Sequence, residues 1–137
     1  MDTICEKELE KGKEHKWKIK ILNTSQYKYI MVGVVPNDFD INSSTHKTCG
    51  WYFYCYTGYS NPTLYSGPPY NYRAKETNLN KVKDEIIVIM NMNKRTLKFI
   101  IDNEDKGESF KDIPIDKPIA PAVFLYYAND SIEITEC

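Results

Sequence analysis

The most regular pattern in the chain is the alternation in HKWKIKIL, residues 15–22, where Trp17, Ile19 and Ile21 take turns with Lys16, Lys18 and Lys20. A period of two sends the apolar set to one face and the lysines to the other, which predicts a half-buried strand with one wet face. YIMVGVV, 29–35, is apolar throughout, and EIIVIMNM, 85–92, is nearly so. Runs of that kind predict strands covered on both sides or central in a sheet. After 85–92, the polar NKR at 93–95 predicts a tight turn and TLKFIID, 96–102, the returning strand. NEDKG, 103–107, ends in glycine and predicts a second turn. IAPAVFLYY, 119–127, and SIEIT, 131–135, predict a last hairpin. Helical spacing is scarce. The one candidate, CEKELEKGKE at 5–14, has a single Leu and a Gly and offers no apolar face, so it predicts an extended lead-in.

The aromatic stretch CGWYFYCYTGYSNPTLYSGPPYNY, 49–72, divides by the same rule. A strand over 51–56 puts Trp51, Phe53 and Cys55 on one face and Tyr52, Tyr54 and Tyr56 on the other. Trp, Phe and Cys suit a core, whereas tyrosine has a polar tip that needs a partner, so the first face is the predicted core face. The Tyr face is then half-exposed or lies under a loop. Asn61-Pro62 and Gly67-Pro68-Pro69 leave the sheet, because proline donates no ladder hydrogen bond. Many short strands and frequent turns predict an all-β sandwich or barrel.

Length and composition narrow the picture. A chain of 137 residues with 42% hydrophobic and 13% aromatic content is long and apolar enough for one core. The expected organisation is a charged lead-in over 1–14 and a single domain over 15–137. A net charge of −1 gives no electrostatic footprint for nucleic acid. No apolar run approaches the ~18 residues of a membrane helix. The N-terminus is charged and unlike a signal peptide, which predicts a cytoplasmic, intracellular protein with Cys5, Cys49, Cys55 and Cys137 reduced.

Catalytic and metal chemistry find little material. His15 and His46 are the only histidines, so a Ser/His/Asp or Cys/His set would need one of them. His46, Cys49 and Cys55 lack paired zinc spacing and a fourth ligand. Residues 102–107 read as a hairpin turn, because Lys106 and Ile113 occupy positions where a calcium loop needs oxygen ligands. The expectation is no enzyme, no cofactor and no metal.

The order of motifs resembles the SPRY domain, the core of the PRY-SPRY family. GKEHKWKIKI opens with the first-strand Trp, MVGVV follows, and CGWYFY looks like the family's Ser-Trp-Gly-aromatic strand. LYSG, VKDEIIVIMNMNKRTLKFIIDNEDKGESF and APAVFLY resemble the later blocks, in the family's order, over residues 12–135. Lys83-Asp84-Glu85 stands where Gly-Asp is usual, Met92 or Asn93 where an Asp is usual, and Asn103-Glu104 where Asn-Gly is usual. The strands that normally precede the opening Trp are largely missing. The resemblance implies a bent antiparallel β-sandwich, a concanavalin-like jelly-roll of SPRY type. It also implies a non-catalytic module that binds a peptide or protein, often as the target-recognition part of a larger protein such as a TRIM or SOCS-box ubiquitin ligase adaptor. Ryanodine receptors and Ran-binding scaffold proteins carry such domains too.

Loop parity then nominates a site. Counting strands from 29–35 onward puts the loops 36–50, 67–84, 103–107 and 127–130 at one end. They carry Phe39, Asp40, Tyr70, Tyr72, Arg73, Tyr126, Tyr127 and Asn129, with aromatics and an Arg of the kind that anchor interfaces. In the SOCS-box branch of the family, the loop after the VGV strand and the last hairpin turn contact peptide, which correspond to 36–50 and 126–130. The expected partner is a peptide or protein, with no nucleic acid and no membrane, and the chain is expected to be a monomer. The alternative is a lectin-like carbohydrate-binding sandwich, in which tyrosines and Asn/Asp loops stack on sugars.

Overall fold

The computed structural model describes residues 2–4, 8–24, 28–36, 50–55, 63–66, 73–76, 82–125, 127 and 129–135. Among them there is no helix. There are β1 (Asp2–Ile4), β2 (Glu14–Asn23), β3 (Ile30–Pro36), β4 (Trp51–Tyr54), β5 (Thr63–Ser66) and β6 (Arg73–Glu76). The chain continues with β7 (Glu85–Asn91), β8 (Thr96–Ile101), β9 (Glu104–Phe110), β10 (Ile119–Leu125) and β11 (Ser131–Thr135). They form two antiparallel sheets, ordered β1-β10-β3-β4-β5-β6 and β11-β2-β7-β8-β9. Of the sandwich or barrel read from alternation, the sandwich that the resemblance implied is the fold.

Each sheet turns one face inward. Trp17 and Ile19 of β2, Val88 of β7 and Phe99 of β8 meet Val32 and Val34 of β3, Phe53 of β4 and Val123 of β10 in one buried cluster. Phe53 and Phe99 join the sheets directly, with ring centroids 5.5 Å apart. Trp51, Phe53 and Cys55 fall in this cluster, as the period-two reading expects. Tyr52 points the other way and is still fully buried, in a second cluster with Met31, Val35, Ala122 and Phe124 on the far face of the first sheet. Its ring meets Phe124 edge to face at 5.2 Å. This is why β3 and β10 are apolar on both faces.

Three elements differ from the sequence reading. The charged lead-in is part of the fold: β1 pairs with β10, and Leu9 is buried with its N–H on the carbonyl of Ile119. The turn placed at 103–107 is only Asp102-Asn103. Both residues have positive φ, 48° and 70°, the pattern of a two-residue type I′ hairpin, and β9 starts at Glu104. The third difference is β6. Its RAKE sequence has no apolar alternation to betray a strand, because it is the edge of its sheet and pairs only with β5.

Candidate functional site

Strand pairing fixes which connections share an end. Ile30 pairs with Leu125 and Asn23 with Ser131, so the β2–β3 and β10–β11 connections meet at one end. Pro36 pairs with Ile119, which puts the far ends of β3 and β10 about 20 Å away, six residue steps along the strands. The single end predicted by parity is therefore two ends. The unrecognised β6 added one reversal, and everything counted after it changed sides.

Arg73 opens β6 opposite Ser66, at the same end as Pro36 and Trp51. Tyr127 and Asn129 belong to the opposite end, with Asn23 and Ser131. The structure thus separates them from Arg73. Phe39, Asp40, Tyr70, Tyr72 and Tyr126 lie outside the described residues.

At the Tyr127 end the backbone is tied in several places. The Asn23 side-chain amide donates to the carbonyl of Asn129 at 2.7 Å, and the Asp130 N–H donates to the carbonyl of Tyr127 at 3.1 Å. Tyr127 lays its ring against Tyr29, 5.3 Å between centroids and nearly perpendicular. Next to them, Ile21 pairs with Ile132 and Asn23 with Ser131, which leaves Leu22 as an extra residue in β2 with no counterpart on β11. Such a bulge bends the strand and re-aims a side chain. Leu22 is 56% exposed and Tyr127 42%. Among the described residues the only other large apolar side chain this open is Ile134 on β11.

The same end is stiffened by Asp102. Its carboxylate accepts hydrogen bonds from the backbone N–H groups of Lys83, Asp84 and Glu85 at 2.7, 2.9 and 3.0 Å. Partial desolvation works to raise its pKa, but the three N–H donors and the Lys83 charge outweigh it and hold it below the usual carboxylate value. The Asp84 carbonyl in turn accepts the N–H of Ile21, one residue before the bulge. Asp105 is also held low, first by the Gly107 N–H and then by the Lys98 ammonium at 3.0 Å. No cluster of metal-ligating side chains occurs among the described residues. His15 is half-buried, its Nε2 2.8 Å from the Glu10 carbonyl.

The family model of the SPRY domain matches residues 14–137. The chain belongs to the SPRY domain family. Its fold is similar to the SPRY domain of human HERC1, with a TM-score of 0.73 and 19% identity over 99% of this chain and 80% of that one. It is also similar to the TRIM65 PSpry domain, with a TM-score of 0.64 and 11% identity over 99% of this chain and 68% of that one. No curated protein matches the sequence. SPRY domains are in general protein-interaction modules without catalytic activity of their own.

Sequence reasoning missed Leu22 in this SPRY domain, although a signal was there. Outward positions along β2 read Lys16, Lys18, Lys20 and then Leu22. The lysine series on the wet face breaks at Leu22, where the strand bulges.

Proposed function

We propose that this SPRY domain is a non-catalytic module that binds a peptide or protein partner at the end built from the β2–β3 and β10–β11 connections. It acts as the target-recognition part of a larger, intracellular protein. One observation carries this reading: Leu22 and Tyr127 stand exposed on a backbone fixed by the Asn23–Asn129 bond and by the Asp102 clamp. Exposed apolar and aromatic side chains on a rigid frame are what a partner's pocket can desolvate at low entropic cost. Asn129 and Tyr126 flank the same turn and complete the proposed contact set. Arg73, at the other end, is the competing assignment, with Phe39, Asp40, Tyr70 and Tyr72 outside the described residues.

The test immobilises the domain and captures partners from a lysate of its own organism. Beside the parent run a Leu22→Ser/Tyr127→Ser variant and a Tyr70→Ser/Tyr72→Ser variant, each checked by thermal melt. A partner kept by the parent and the second variant but lost by the first is the expected result. Loss only with Tyr70→Ser/Tyr72→Ser moves the site to the other end. Retention by both removes both ends, and no retained partner for the parent counts against recognition altogether.

A further inference from the structure

The outer face of the second sheet carries two rows of side chains that run across four strands. Strand pairing aligns Lys18 of β2, Ile87 of β7, Ile100 of β8 and Asp105 of β9 in one row. The adjacent row is Lys16, Ile89, Lys98 and Glu108. On β2, β7 and β8 these positions alternate with core residues such as Trp17, Val88 and Phe99, and pairing with Ile100 and Lys98 carries Asp105 and Glu108 to the same outer face across the register shifts that flank Lys98. Each row has a lysine at its β2 end and a carboxylate at its β9 end. Isoleucine lies between them, and Lys98 adds a second cation in the Lys16 row.

This order is self-complementary. We propose that a second copy of the chain docks on this face, related by a two-fold axis parallel to the strands and lying over the seam between β7 and β8. That rotation reverses the order across the sheet and keeps the level along it. Lys18 then meets the partner's Asp105, Lys16 meets the partner's Glu108, and Ile87 meets the partner's Ile100. Ile89, already only 8% exposed, lies beneath the partner's Lys98 and adds little new contact. A two-fold axis across the strands would instead set lysine on lysine, which like-charge repulsion opposes. A symmetric dimer uses one patch on both copies, so self-complementarity is the feature it requires.

The face is not locked by its own ion pairs. Lys18 lies 3.7 Å from Glu85 and Lys98 3.0 Å from Asp105, both solvent-accessible contacts of little net worth that can be exchanged. Lys20 faces Glu133 and Glu85 on its own sheet and takes no part. Five strands about 4.8 Å apart and roughly 20 Å long make a face of about 400 Å² per copy, below the size of standard stable interfaces and in the range of weak, transient ones. The dimer is therefore weak, concentration-dependent and loosened by salt.

Sedimentation analysis from micromolar to millimolar protein tests this. The parent is expected to shift from monomer to dimer across that range and to shift back at high salt. Lys16→Glu alone and Glu108→Lys alone, both at exposed positions, are each expected to weaken self-association at least tenfold. An equimolar mixture of these two variants restores association, because both cross-contacts in the mixed dimer again pair opposite charges. A Lys18→Glu variant mixed with an Asp105→Lys variant gives a second reading of the same exchange. A parent that stays monomeric throughout, as the sequence alone suggests, overturns the proposal. So does a mixture that associates no better than its components, which would point to some other surface.

Discussion

The Cα of Gly33 on β3 lies against the carbonyl of Trp51 on β4, so closely that a Cβ at position 33 would stand 1.8 Å from the Trp51 oxygen. Backbone cannot step aside as a flexible side chain does. Gly33→Ala must push β3 and β4 apart at the centre of the first sheet. The expected cost is about 3 kcal/mol or more, read as a lower denaturation midpoint with an unchanged slope.

Asp102 supports a prediction in pH. Its folded pKa lies below the value it has when unfolded, so its contribution is present above the unfolded value, about 4. That contribution is lost as pH falls through the folded value. Asp102→Ala leaves three backbone N–H groups without their acceptor and is expected to cost about 2 kcal/mol at neutral pH. Asp102→Asn keeps an acceptor but not the charge. The stability gap between the parent and Asp102→Asn should be widest near neutrality and shrink below about pH 4. A gap that widens on acidification would refute the clamp.

Trp17 is 1% exposed, and among the described residues its indole N–H has no hydrogen-bond partner. A buried donor left unpaired gives back part of what the ring gains by burial. Trp17→Phe removes that donor and is expected to cost no more than about 1.5 kcal/mol. Trp17→Ala opens a large cavity and should cost about 3–5 kcal/mol. Similar losses for the two variants would show that the N–H is satisfied in solution.

Cys55 is buried in the core, and desolvation pushes its thiol far above the ordinary value, with Lys28 only partly opposing. The thiolate is the reactive form. In the native protein Cys55 should resist alkylation under conditions that label an exposed cysteine, and become reactive only when the sandwich opens. Peptide mapping after a timed pulse of reagent reads this directly; fast native labelling of Cys55 would contradict its burial.

Much of the scaffold was legible because one force wrote it. Burial on one face produces the alternation in β2, and burial on both faces produces the apolar runs of β3 and β10. Where burial does not act, the pattern fell silent. The Arg73–Glu76 strand pairs with β5, and its RAKE sequence has no apolar alternation to announce it. Missing it moved Tyr127 and Asn129 to the wrong end in the parity count. The Asp102-Asn103 turn was hidden for a different reason: positive φ is usually announced by Gly, and here Asp and Asn adopt it. Leu22 could have been found by asking which outward position breaks the lysine series.

The pairing of Ile21 with Ile132 and of Thr3 with Val123 joins the two ends of the chain within both sheets. Closing such loops costs chain entropy before the contacts reward it, which slows folding of sandwiches to milliseconds or longer. During synthesis, β2 must wait for β11 to leave the ribosome, with Trp17 and Ile19 lacking their full cover in the interval. The lysines between them then serve a second purpose: they keep the waiting strand in solution and discourage it from pairing with a stranger.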